Sequence, residues 1–235
     1  MRELEWGDVP NLRDLGGIRT SAGVTRFGRV ARGPRRERLD AEGWAAARDW
    51  GLATVVDLRC PYEIGWHHGD PAPVDIPAMT VINAPTEDHD DEEFRRVCFP
   101  ILDSPEYWTH SLRILPALVR TTLEVIAAAT PGVLVHCSAG RDRTGMVTAL
   151  LLANAGVEPD LVADDYELSV RVMAGTASHQ PTHDRQSTWT QAQVDARTAQ
   201  VRPHVTHFAR AAPTLLDHIG VSHETRDQLK DLLVA

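Results

Sequence analysis

His136-Cys137-Ser138-Ala139-Gly140-Arg141-Asp142-Arg143-Thr144-Gly145 is the stretch on which the fold of this chain turns. A short apolar run, Gly132-Val133-Leu134-Val135, leads into it, and a second, Met146 to Ala155, leads out and closes at Gly156. A buried strand, a tight loop and a helix N-terminus follow from that order. Such a junction gathers unpaired backbone N–H groups around one point and binds phosphate there. Gly140 supplies the backbone freedom a turn so close to an anion requires. This loop also carries a thiol at its start, Cys137, and a guanidinium near its end, Arg143.

The two side chains suit one reaction. Phosphate monoesters are extremely inert, and a cysteine nucleophile divides their hydrolysis into transfer to sulfur and release to water. Inward N–H groups, a helix N-terminus and a nearby arginine favour the thiolate, which is the reactive form. The same groups then hold the phosphoryl oxygens, and the planar fork of Arg143 matches two of them at once. The expected substrate-binding set is Ser138, Ala139, Gly140, Arg141 and Thr144. The Thr144 hydroxyl is also placed to donate to the sulfur as it leaves. His136, Asp57 and Arg59 are expected to support the loop from behind.

Composition narrows the setting. The chain has 235 residues, 43% of them hydrophobic, enough for one α/β domain with a full core. A net charge of −9 argues against general nucleic-acid binding. The N-terminal sequence lacks the apolar core of an export signal, and three scattered cysteines, Cys60, Cys98 and Cys137, suit a reducing cytoplasm. No metal and no cofactor are expected, because the eleven histidines lack convergent ligand spacing and the cysteine chemistry needs neither.

Along the chain, residues 11–33 read as short antiparallel strands. Asp40 caps a helix that runs to Trp50 and stops at Gly51. Residues 53–58 and 132–136 are buried strands, and helices are expected over 105–129, 144–155, 159–173 and from Ser222 to Leu233. Strands alternating with helices give a central, mostly parallel sheet with helices on both faces and the site at the carboxyl ends of the strands. The arginines at 26, 29, 32, 35, 36 and 38 read as a solvated basic face, and the acidic run Glu87 to Glu93 as solvated surface. Residues 174–205 read either as a lid over the site or as solvated surface helix and loop.

The loop resembles the signature C-x5-R-[S/T] of the cysteine-dependent phosphatases. Asn11-Leu12-Arg13-Asp14-Leu15-Gly16-Gly17, Thr54-Val55-Val56-Asp57-Leu58-Arg59 with Glu63, and Ala163-Asp164-Asp165-Tyr166-Glu167-Leu168-Ser169 are similar to further motifs of one bacterial branch, the atypical tyrosine and dual-specificity phosphatases. Arg141 stands where lysine is usual. The resemblance implies the phosphatase fold, phosphorylated protein or phosphoinositide substrates, and Asp142 as the acid that protonates the leaving group. Asp88, Asp90, Asp91 and Asp103 are the alternatives on separate loops. Arg13, Asp14, Asp57, Arg59 and Glu63 are expected to form ion pairs beneath the loop. Cys60 reads as a packed cysteine at a strand end, with a reversible Cys60–Cys137 disulfide as the alternative. Two other activities fit a cysteine loop, a rhodanese-like sulfurtransferase and a non-catalytic phospho-ligand-binding module.

Overall fold

The computed structural model describes residues 2–74, 79–176 and 188–234. Its main sheet has the order β1-β4-β7-β5-β6, from β1 (Arg13–Asp14), β4 (Val30–Gly33), β7 (Val133–His136), β5 (Thr54–Asp57) and β6 (Thr80–Asn83). Only β1 runs antiparallel to its neighbour; the other four strands are parallel. β2 (Arg19–Thr20) and β3 (Gly23–Val24) form a separate small hairpin.

The register sets the position of the site. Gly33, His136, Asp57 and Asn83 lie in one row across the four parallel strands. That row is the carboxyl end of all four, where chain leaving the sheet opens a crevice.

Strand residues alternate between two cores, as the period of a pleated strand requires. Val133 and Val135 face the larger one, whereas Leu134 joins Ala31 and Val55 on the other side. The smaller core is closed by α1 (Ala41–Trp50) and by Trp6, whose ring meets Trp50 edge-on at 5.5 Å. The Asp40 carboxylate accepts from Gly43 N–H at 2.7 Å to cap α1, and Gly51 ends it.

The larger core takes the other helices: α2 (Glu92–Cys98), α3 (Tyr107–Ile114), α4 (Pro116–Ala127), α5 (Asp142–Asn154), α6 (Pro159–Met173), α7 (Gln191–His218) and α8 (His223–Val234). In α5 every residue from Met146 to Leu152 is buried, so this helix is apolar all round and forms the centre of the domain. Helices thus cover both faces of a mostly parallel sheet, but unevenly. No helix among the described residues is long and apolar enough to cross a membrane.

Three elements differ from expectation. The helix over 105–129 is two helices, because Pro116 has no N–H to continue α3 and starts α4 instead. Residues 191–205, read as lid or as surface helix and loop, form the first half of α7, a 28-residue helix that continues through Pro203 and Pro213. Its residues Val194, Val201, Val205 and Phe208 are buried, and it packs on α6 and α5. Of the remainder of that stretch, residues 177–187 lie outside the described residues. Thr80–Asn83, in the stretch between the expected strand 53–58 and the expected helix 105–129, is a fourth parallel strand.

Candidate active site

Residues 137–141 leave β7 and enter α5 in a loop, and the carbonyls of its first four residues are each held by a donor outside 137–141. The Cys137 carbonyl lies 3.1 Å from His136 Nδ1, and the Ser138 carbonyl accepts from Arg35 N–H at 3.0 Å. The Ala139 carbonyl accepts from Asn11 Nδ2 at 2.9 Å, and the Gly140 carbonyl from Arg32 Nη2 at 2.8 Å. In a trans peptide the C=O of one residue and the N–H of the next point in opposite directions. Four carbonyls turned out therefore turn the N–H groups of residues 138–141 in. Gly140 has φ +71°, and a Cβ there would sit 2.4 Å from the Gly33 carbonyl oxygen. No other residue permits the loop to press so close to β4.

Asn11 performs its part from a strained backbone, with φ +67°. Asparagine tolerates this left-handed conformation better than most residues. Its Oδ1 accepts from Arg13 Nη1 at 2.7 Å and from Ser169 Oγ at 2.9 Å, which aims Nδ2 at the loop.

Cys137 opens the loop, nearly buried, and Arg143 sits in the first turn of α5. Glu63 grips Arg143 with two bonds, Nη1 to Oε2 at 2.5 Å and Nη2 to Oε1 at 2.8 Å. Glu87 Oε2 lies 3.6 Å from Nη1. A guanidinium has a second edge, formed by Nε and the outer hydrogen of Nη2, and Glu63 leaves that edge to face an anion. Burial by itself raises the Glu63 carboxyl, but the Arg143 hydrogen bond and charge outweigh it and hold it below its ordinary value. A backbone bond from Cys60 N–H to Glu63 Oε2, 2.9 Å, fixes the carboxylate in place.

Among the described residues the buried Thr144 hydroxyl has no hydrogen-bond partner, nor has His136 Nε2, which lies 3.7 Å from Asp57 Oδ2. Burial lowers the His136 pKa despite Asp57, so the ring is neutral near pH 7. The free Thr144 donor is what a sulfur leaving group requires.

Asp142 is the first residue of α5, and its carboxylate is bound on both oxygens. Arg141 Nε reaches Oδ1 at 2.9 Å and Oδ2 at 3.1 Å, Arg141 Nη2 reaches Oδ2 at 2.9 Å, and Tyr166 donates to Oδ1 at 3.1 Å. The guanidinium of Arg141 is thus committed to Asp142 and buried, which leaves its backbone N–H as its part in substrate binding. Of the alternative acids, Asp91 caps α2 through Phe94 N–H and Asp88 accepts from Asp90 N–H. Asp103 is buried beside Arg197, at 3.9 Å.

Behind the loop lie two ion clusters. In one, Arg59 donates to Asp57 Oδ2 at 2.6 Å and to Glu37 Oε1 at 2.7 Å, and its Nη1 reaches the Glu63 carbonyl at 3.3 Å. In the other, Asp165 receives Arg13 Nε at 2.9 Å, Arg32 Nη1 at 2.6 Å and Arg2. Asp165, Asn11, Arg32, Glu87 and Tyr166 were not read as site residues from sequence. Asn11, Asp165 and Tyr166 lie within the quoted motifs, so position alone was available and pairing was not. Asp14 forms no part of these clusters. It accepts from Gly16 and Gly28 N–H groups and from Trp50 Nε1.

Two other expectations are corrected. The arginines of 26–38 are not one solvated face: Arg32 is buried on Asp165, and Arg35 is paired with Asp70. The acidic run is not wholly solvated either, since Glu87 is buried against Arg143. The three cysteines are free thiols. Burial, followed by Glu63 and Glu87, pushes Cys60 up to about 12, and its Sγ donates to the Glu87 carbonyl at 3.3 Å.

A thiol and a guanidinium bracket a loop of inward N–H groups, and the chain matches the model of the tyrosine phosphatase family over residues 4–235. The chain belongs to the tyrosine phosphatase family. It is a cysteine-dependent phosphatase of the protein-tyrosine and dual-specificity type. Among curated relatives, the triple specificity protein phosphatase PtpB of Mycobacterium tuberculosis is 28% identical over 186 residues, 68% of this chain and 67% of that protein. A putative tyrosine-protein phosphatase of Cupriavidus necator is 25% identical over 187 residues, covering 70% of this chain and 62% of that one. The chain therefore spans about two thirds of the length of these relatives. Among solved structures, the core catalytic domain of the PP-IP phosphatase SIW14 from S. cerevisiae, in complex with citrate, aligns at 10% identity and a TM-score of 0.34, over 75% of this chain and 91% of that one.

Proposed function

We propose that this phosphatase hydrolyses protein phosphotyrosine through a cysteinyl-phosphate intermediate, with phosphoserine, phosphothreonine and phosphoinositides as further substrates. The observation that carries the reading is the loop with four outward carbonyls between Cys137 and Arg143. An array of fixed N–H dipoles is complementary to the equatorial oxygens of a transferring phosphoryl group and needs no reorganisation as charge develops.

Cys137 attacks phosphorus in line, the S–P bond forms and the ester P–O bond breaks. The N–H groups of Ser138, Ala139, Gly140 and Arg141 and the free edge of Arg143 hold the phosphoryl oxygens. Asp142 gives its proton to the departing oxygen. Water then attacks phosphorus, Asp142 takes a proton from it, and the S–P bond breaks with Thr144 donating to sulfur. His136, Asp57 and Arg59 hold the loop and the Glu63 turn from behind. The mechanism uses no metal and no organic cofactor, and the free thiols suit the cytoplasm.

Phosphate release from phosphotyrosyl and phosphothreonyl peptides and from phosphoinositides, with Cys137→Ser as the blank, tests this reading. Turnover that vanishes in the variant supports it, and the preferred substrate ranks protein against lipid. No turnover by folded, reduced protein refutes it. Cyanolysis of thiosulfate would then indicate a sulfurtransferase, and phosphopeptide binding without release a binding module.

A further inference from the structure

We propose that Tyr166 is a positioning residue for the proton transfer at Asp142, holding the carboxyl group at the mouth of the loop. The inference rests on the reading of Asp142 as proton donor. Tyr166 lies on α6, 24 residues away, and its hydroxyl donates to Asp142 Oδ1 at 3.1 Å. The first turn of α5 is shaped to admit it. A Cβ on Gly145 would come within 2.8 Å and 2.9 Å of the Tyr166 ring and 3.1 Å of Trp108. The last glycine of the loop is thus the gap through which the ring crosses α5 to reach Asp142. Trp108 meets the Tyr166 ring edge-on, 5.2 Å between centroids, and is itself backed by Phe208 at 5.1 Å. Helices α3, α6 and α7 therefore fix the phenol from behind.

The chemistry requires such a hold. An aspartate has two side-chain torsions, and a proton donor acts only when its oxygen lies within hydrogen-bond reach of the leaving atom. Arg141 binds both carboxylate oxygens but comes from the neighbouring residue and moves with the loop. Tyr166 ties the same carboxylate to a different helix, and so to the core. Burial raises its phenol pKa well above the ordinary value, so it remains a donor at any working pH. After the first step Asp142 is a carboxylate, and the Tyr166 donor stabilises it as the group that activates water.

Tyr166→Phe keeps the ring and removes the donor. The test reads kcat across aryl phosphates with leaving groups from poor (phosphotyrosine, phenyl phosphate) to activated (difluorinated methylumbelliferyl phosphate). The expected loss is about 10-fold on phosphotyrosine, a fraction of what a general acid supplies, and less than about 2-fold on the activated ester. Gly145→Ala, which pushes the ring aside, should reproduce the leaving-group dependence. An equal loss on all esters would mean a structural role and overturn the proposal. No loss on any ester would overturn it too. Asp142→Asn separates the two readings. If it shows no leaving-group dependence, the assignment of the acid fails. If it does and Tyr166→Phe does not, only the inference about Tyr166 fails.

Discussion

Replacing Asp165 by Asn would remove one charge from the interior and leave the shape unchanged. Asp165 is about 1% exposed, and it faces Arg13 (5%), Arg32 (1%) and Arg2 (24%). Burial raises its pKa, but the three arginines together outweigh burial and hold it far below the ordinary carboxylate value. Burial and Arg13 already bring Arg32 down to about 10. Without Asp165, Arg13 and Arg32 are two buried cations with no counter-charge. Breaking a buried pair by halves costs about 3–5 kcal/mol. Asn keeps one acceptor oxygen, so the lower part of that range applies. With a urea m-value of about 2.5 kcal/mol/M, the midpoint should fall by about 1–2 M. Activity should fall as well, since Arg32 also holds the Gly140 carbonyl. The pH dependence has a definite sign. The folded pKa is depressed, so the contribution is complete above the unfolded value of about 3.9 and is lost as pH falls below it. Wild-type protein should lose stability steeply below about pH 4, and the variant less steeply. A midpoint shift under about 0.3 M in urea, against the 1–2 M expected, would refute the idea that Asp165 holds the arginines.

Glu63→Gln should lower kcat/KM by about 10–100-fold, the equivalent of one charged hydrogen bond of about 1.5–3 kcal/mol, with vanadate binding weakened in parallel. Unchanged vanadate affinity would show that Arg143 needs no such hold. Gly140→Ala, at φ +71° and with its Cβ 2.4 Å from the Gly33 oxygen, should cost about 2–5 kcal/mol and abolish turnover; a variant with native melting temperature and activity would contradict the packing described for β4. Cys60 and Cys98 are both pushed up to about 12 by burial, so iodoacetamide at pH 7.5 should leave them unmodified while phosphate-protectable alkylation falls on Cys137. Peptide mapping that finds Cys60 alkylated as fast as Cys137 would contradict this.

What the sequence discloses about this fold is largely local. The strand before Cys137, the helix after it, and the Asp40 cap with Gly51 all follow from residues within a few positions of each other. The edge strand Thr80–Asn83 does not, because it is short and half-exposed, with Val81 40% exposed, and lacks a buried apolar signature. Helix α7 is concealed by Pro203 and Pro213 and by polar residues on its outer face, and tertiary packing on α6 overrides propensity. At the site, Cys137 and Arg143 are legible from their spacing, whereas Asp142 enters as a candidate only through the family resemblance. Their partners are not legible from spacing. Glu63, Asn11 and Tyr166 reach the loop from 80, 128 and 24 residues away, as measured from Arg143, Ala139 and Asp142, and Asp165 acts one step further out, through Arg32, 133 residues from it. Charge alone also misleads. Six arginines between 26 and 38 look like a surface, yet Arg32 is among the largest fully buried side chains in the protein.

The outward carbonyls of the loop carry one more consequence. A peptide chain is electrically neutral and offers as many acceptors as donors, so the ten residues from His136 to Gly145 have no intrinsic preference for an anion beyond Arg143 and the α5 terminus. The polarity of the cradle is imposed by Asn11, Arg32, Arg35 and His136, and three of these four lie more than a hundred residues upstream. A relative can therefore retain the whole cysteine-to-arginine string and still be unable to hold phosphate, if its asparagine or its buried arginine is gone. Inactive members of such a lineage are to be sought in the first strand pair of the sheet rather than in the signature itself.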